Sequence, residues 1–160
     1  MARKGPAKTR NIEPEAVYNS TAVAKLINSV MYNGKKMPAE KQVYSCLDLL
    51  KKDFPKDDLI VKLEEALENI KPKVEVRPRR IGGAVYQVPT PVRGNRQQSL
   101  AIRWLIIAAR KKPNKQFHTF SEKLADELKL ALKSEGSAVL KRQEVERMAE
   151  ANKAFAHLRW

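Results

Sequence analysis

"KVEVRPRRIGGAVYQVPT", residues 73–90, decides how the rest of the chain is read. Val74 and Val76 alternate with charged neighbours, and Val85, Tyr86, Gln87 and Val88 form a second short strand-like run. Between them "RPRRIGGA" supplies a turn, since Gly82 and Gly83 take positive φ without a side-chain clash. Pro78 has no N–H to donate, so it fits only an edge or a ribbon without a further neighbour. One hairpin is too little β structure to enclose a core of its own. It must project from another body, and the flanking sequence predicts that this body is helical.

Upstream, Val23, Leu26, Ile27, Val30 and Met31 make one apolar stripe that stops at "YNGKK", residues 32–36. Pro38 suits a first helical turn, and Val43, Cys46, Leu47 and Leu50 repeat the pattern to about Lys52. Cys46 on that stripe reads as a packing residue. After the break "DFPKDD", a third helix carries Leu59, Ile60, Leu63, Ala66, Leu67 and Ile70, with Asp57 and Asp58 near its positive end.

Downstream, "SLAIRWLIIAARKK" is the most apolar stretch. Leu100, Trp104, Ile107 and Ala108 are expected on its buried face, widened by Ile102, Leu105 and Ile106, as the central helix. Thr119 and Glu122 fit a capping box for a fifth helix carrying Phe120, Leu124, Leu128, Ala131 and Leu132. A last helix is expected over 138–152. The chain therefore reads as mainly α, a bundle of about six helices with one protruding β-hairpin between the third and fourth. The expected organisation is a basic extended arm at 1–19, a single helical domain at 20–152 with the ribbon at about 73–90, and a tail at 153–160.

Charge narrows the function. The 160 residues carry a net +14. Residues 71–115 hold twelve Lys or Arg against one acid, Glu75, whereas residues 40–70 hold eight acids and five lysines. So polarised a chain presents a basic face, and a polyanion relieves its self-repulsion. Nucleic acid is favoured over anionic membrane or an acidic protein, because no basic amphipathic helix with an aromatic apolar face stands out. No stretch approaches the eighteen apolar residues of a membrane span. "MARKGPAKTR" is followed by "NIEPEAVYNS", not by the apolar core of a secretory signal. The lone Cys46 allows no internal disulfide, which suits a reducing, cytosol-like compartment.

Catalysis finds no support. His118 and His157 sit in no metal spacing, no phosphate loop or dinucleotide fingerprint occurs, and no base accompanies a serine. The chain reads as a non-enzyme with neither cofactor nor metal. A DNA architectural protein would share its charge and ribbon.

Binding features are stronger. Arg96, Arg103 and Arg110 recur every seven residues and drift only ~20° per heptad, so they form one stripe. Gln97 and Ser99 near the helix start add hydrogen-bond donors, and Lys111, Lys112 and Lys115 continue the field. At the ribbon, the forks of Arg77, Arg79 and Arg80 match phosphate bidentately, and Gly82 and Gly83 let the backbone approach a partner. Tyr86 is placed either to stack on a base or to pack on the body. In the last helix Lys141, Arg142 and Arg147 are expected to face outward among Glu144 and Glu146.

Several of these stretches together resemble the bacterial-type small-subunit ribosomal protein seven family. "VRPRRIGGAVYQVP" is similar to that family's hairpin signature, "LAIRWLIIAARKK" to its following helix and "RMAEANKAFAHLRW" to its C-terminal signature. "YNGKK" and "ALENIKP" match in the expected order, so the resemblance covers nearly the whole chain. It implies a structural constituent of the small ribosomal subunit that binds the 3′ major domain of 16S-type rRNA early and nucleates assembly of the subunit head. It further implies a position near the exit-site tRNA at the subunit interface, beside other small-subunit proteins and away from membranes. The protein would be a monomer within the ribosome, in the cytoplasm or an organelle matrix.

Carried over by motif, rRNA contacts would include Arg3, Lys4, Lys8 and Arg10 in the arm, and Asn33, Gly34, Lys35 and Lys36 in the first loop. Lys73, Arg77, Arg93, Arg96, Arg103, Arg110, Lys111, Lys112, Lys115, Lys141 and Arg142 would complete that surface. Arg79, Arg80, Ile81, Gly82, Gly83, Tyr86 and Arg147 would face tRNA or a neighbouring protein. Three features depart from the family pattern: Pro78 replaces a small polar residue, Leu140 stands where a basic residue is usual, and "NKQFHTFSEKL" is longer than usual before the fifth helix.

Overall fold

The computed structural model describes residue 5, residues 11–55 and residues 57–159. The arm positions Arg3, Lys4, Lys8 and Arg10 lie outside the described residues. In chain order the elements are α1 (Thr21–Val30), α2 (Lys36–Asp53), α3 (Leu59–Ile70), β1 (Val74–Ile81), β2 (Ala84–Pro91), α4 (Gly94–Lys111), α5 (Phe120–Leu132) and α6 (Ser137–Ala151). The protein is mainly α with one antiparallel ribbon between α3 and α4, as the sequence predicts.

Local chemistry explains the boundaries. The Asp58 side chain accepts from the Ile60 N–H at the start of α3. The Thr119 hydroxyl and Glu122 carboxylate close a full capping box on α5. Backbone amides of Thr119 and His118 hold the Glu122 carboxyl below its ordinary range. Gly136, between α5 and α6, has φ +96, and a Cβ there would lie 2.9 Å from Glu127 Oε1 and 3.0 Å from Leu130 Cβ. Only glycine fits that junction without strain.

The core lies where α5 meets α2, α3, α4 and α6, and where α4 also meets α1, α3 and α6. Leu26, Leu47, Leu63, Leu67, Leu105, Leu124 and Leu128 are fully buried there. Cys46 is buried on α2, and desolvation pushes its thiol up to about 12, so it packs and does not react at neutral pH.

Two expectations need correction. The buried face of α4 is Ala101, Ile102, Leu105, Ile106, Ala108 and Ala109; Trp104 and Leu100 are only half-buried and Ile107 is exposed. Ile102, Leu105, Ile106 and Ala108 are buried as expected, while the small Ala101 and Ala109 are buried in place of Leu100, Trp104 and Ile107. And the segment after α6 is a 3-10 turn at Lys153–Leu158 that packs on β2.

Residues 11–19 lie against α1 and α2. The buried Glu15 carboxylate accepts from the amides of Val17 and Tyr18 at 2.9 and 2.8 Å and from the Tyr44 hydroxyl. Burial raises the Glu15 carboxyl, but the Tyr44 hydroxyl and these amides outweigh it and leave it below the ordinary range. The same bond drives the Tyr44 phenol up to about 12.

Candidate nucleic-acid interface

The turn expected over eight residues is only two residues long. Gly82 and Gly83 have φ +56 and +89, the pair of positive angles a type I′ hairpin needs. Ile81 and Ala84 face each other across it, and pairing continues to Val74 and Pro91. Hydrogen-bonded and non-bonded pairs alternate along an antiparallel ladder. Counted from the turn, Pro78, Pro89 and Pro91 all fall on non-bonded pairs, so none removes a ladder donor. The Val92 N–H bond to the Lys73 carbonyl at 3.1 Å continues the same alternation.

That register divides the ribbon arginines. Arg77 and Arg79 share a face with Glu75, Tyr86 and Val88, whereas Arg80 lies opposite with Pro78, Val85 and Gln87. The first face rests on the body. Val88 is buried, and the rings of Tyr86 and Phe155 sit 5.4 Å apart, so Tyr86 packs against the C-terminal 3-10 turn.

Glu75 joins the ribbon to α4. Its carboxylate takes Arg77 Nη2 at 2.6 Å and Arg96 Nε at 2.9 Å, while both guanidinium groups stay about half in water. Burial raises the Glu75 carboxyl, but the bonds from Arg96 and Arg77 outweigh it and hold it below the ordinary range. One acid thus engages two arginines whose side chains stay about half exposed.

Along α4, Arg96, Arg103 and Arg110 are all exposed, as the seven-residue spacing predicts. Arg110 Nη2 donates to the Val30 carbonyl at 3.2 Å, which ties α4 to the end of α1. Arg93 is exposed just before the helix, as are Lys73 at the ribbon base and Lys115 in the α4–α5 connection. Between α1 and α4 lies a cleft of about 550 Å³ whose lining mixes Lys25, Asn28, Ser29, Asn95 and Ser99 with Ile12 and Ile102. Lys25 Nζ crosses to Gln98 Oε1 at 2.5 Å. The sequence reading missed this wall of α1, although Thr21, Lys25 and Asn28 at i, i+4 and i+7 mark the face opposite the apolar stripe.

The loop Asn33, Gly34, Lys35 and Lys36 is exposed, with the Lys35 amide bonded to the Tyr32 carbonyl at 2.9 Å. Lys111 and Lys141 flank a groove of about 400 Å³ between α4 and α6 that also holds Trp104, Ile107 and Leu140. Leu140 is 62 % exposed there. At the ribbon tip Gly82 and Gly83 are exposed and Ile81 half-buried; Arg147 is exposed on α6.

Two of the expected cations turn inward. Lys112 Nζ lies 2.5 Å from Asp126 Oδ2 and 2.9 Å from Glu127 Oε2, and only 13 % of its side chain is exposed. Arg142 Nη1 donates to the Asn69 carbonyl at 2.8 Å, holding α6 on α3. Lys112 follows Leu105 and Ala109 at i+7 and i+3, so its burial was readable once the face of α4 was known.

Known proteins are similar to this chain along its whole length. Residues 2–153 match the family described as Ribosomal protein S7p/S5e. The chain belongs to this family. It is 54 % identical to the small ribosomal subunit protein uS7 of Caldicellulosiruptor bescii over 160 residues, covering all of both chains. Identity to the uS7 of Pelagibacter ubique is 50 % over the same complete span. With the uS7 of Thermotoga neapolitana it is 50 % over 158 residues, 99 % of each chain. The family role is structural and non-enzymatic, within the small ribosomal subunit. Among the described residues no helix is long and apolar enough to cross a membrane.

Proposed function

We propose that this chain is an early binder of the 3′ major domain of 16S-type rRNA, that it nucleates folding of the subunit head, and that its ribbon tip lies near the exit-site tRNA. The observation that carries this reading is the exposure of Arg77 on the ribbon and of Arg96, Arg103 and Arg110 along α4, with Glu75 joining Arg77 to Arg96. A-form RNA hides its base edges in a deep groove, so recognition rests on phosphate positions and the shape of a junction. Glu75 holds the ribbon and α4 together, so cations from two elements are presented as a unit. A protein that touches several RNA helices favours their folded arrangement by its higher affinity for it.

Lys111, Lys115, Lys73 and Arg93 extend the rRNA surface, with the arm residues and the first loop beyond it. Arg79, Arg80, Ile81, Gly82, Gly83 and Arg147 face tRNA or a neighbouring protein. Lys112 and Arg142 support the surface from inside.

Binding to a head-domain rRNA fragment, titrated against salt, tests this. Affinity should fall steeply with salt, and Arg103→Ala should reduce the slope of log K against log salt by about 1 without lowering thermal stability. Equal affinity for duplex DNA at matched salt would overturn the reading. Arg79→Ala with Arg80→Ala should weaken contact with tRNA or a neighbour more than binding to the fragment.

A further inference from the structure

Just past the end of α1 an aromatic ring stands out of the surface. Tyr32 is 68 % exposed and belongs to the tight turn in which Asn33 and Gly34 both have positive φ, +50 and +74. The Arg110 guanidinium lies over its ring at 5.5 Å from the centroid. That guanidinium is not free to swing away, because it also donates to the Val30 carbonyl. Tyr32 and Arg110 form one wall of a small cleft of about 230 Å³. Val30, Pro38, Ala39 and Phe120 make its floor apolar, and Lys35 and Gln42 complete the rim. Gln42 spends its carbonyl oxygen on the Ser121 N–H, so its amide donors remain available.

An apolar floor with a flat aromatic wall suits a planar heterocycle, and the cations at the rim, with no carboxylate in the lining, select an anionic carrier. An unpaired nucleotide combines both, since every base has a π face and every link a phosphate. We infer that the Tyr32–Arg110 cleft receives one unpaired base of the RNA bound along α4, stacked on the tyrosine ring, with its phosphates held by Lys35 and Arg110. Stacking is insensitive to base identity, so the cleft sets where a single-stranded nucleotide lies and not which base it is. This inference rests on the RNA-binding reading of the same face.

The test uses the full chain and the head-domain rRNA fragment, with affinity measured across salt and ultraviolet crosslinks mapped by peptide mass spectrometry. The wild-type protein should crosslink through Tyr32 to a nucleotide that is unpaired in the RNA. Tyr32→Ala should lose about five- to a hundred-fold in affinity, the range of one lost stacking contact. Its salt slope and melting temperature should stay unchanged, since no charge and little buried surface are removed. Tyr32→Phe should bind as wild type. Wild-type affinity in Tyr32→Ala with no crosslink at position 32 overturns the inference, and so does a Tyr32→Phe loss as large as that of alanine. If the wild-type chain itself fails to bind the fragment, the RNA-binding reading falls first, and the cleft falls with it.

Discussion

Glu75 and Lys112 are opposite solutions to one problem. At the ribbon, one carboxylate is shared by two arginines, and the excess positive charge faces water. At the α4–α5 junction, one ammonium is shared by Asp126 and Glu127, and the charge is absorbed by the body. Arg77, Arg96 and Lys112 all sit in the same strongly basic stretch of sequence, residues 71–115. They differ in what lies across the fold, a solvent-facing ribbon in one case and a helix with two adjacent acids in the other. A basic run therefore marks a binding surface only where carboxylates are in the minority.

The largest effect is expected at the buried junction. Lys112→Ala leaves the Glu127 carboxylate, 1 % exposed, without its cation, and should cost about 3–5 kcal/mol of stability by urea denaturation. RNA salt dependence should not change, which separates Lys112 from Arg103. An altered slope would break the comparison by placing Lys112 on the binding surface.

Next is Gly136→Ala. The added Cβ meets the same Glu127 carboxylate at a positive φ, and roughly 1–3 kcal/mol should be lost. A crystal structure of this variant should show the Glu127 side chain displaced from the Ala138 N–H, which it now accepts at 2.9 Å.

The smallest effect on stability is at Glu75. Glu75→Gln should cost about 1 kcal/mol, because both arginine partners are half in water and screened. The carboxyl is depressed in the folded protein, so its contribution is complete above the ordinary carboxylate range near ~4.3 and is lost as pH falls through the lower folded value. The gap between wild type and Glu75→Gln should therefore close on acidification. A gap that held constant from neutral to strongly acidic pH would show that Glu75 acts through packing alone. Freed from their shared acid, Arg77 and Arg96 should also steepen the salt dependence of RNA binding.

Much of the fold was legible because it rests on local rules. Apolar spacing placed α1, α2 and α3, the Thr119–Glu122 box started α5, and the paired glycines placed the hairpin. The division of Arg77 and Arg79 from Arg80 followed only from the two-residue turn, which dictates the alternation of faces. The buried face of α4 was legible only in part, because hydrophobicity alone undervalues Ala101 and Ala109, which are buried on it. The contact of Tyr86 with Phe155 joins residues far apart in the chain, and no local pattern announces it.

By itself the sequence determined the helical class, the single ribbon, the polarised charge and the resemblance to a ribosomal family. These follow from composition, short-range periodicity and motifs. Which basic residues stay available to a partner was decided only in the tertiary structure. Lys112 is neutralised because α5 brings Asp126 and Glu127 beside the end of α4, and Arg142 is engaged because the carbonyl of Asn69, 73 residues away, meets α6. A side chain's charge is a property of its type, but its solvation and its partners belong to the packing of elements distant in the chain.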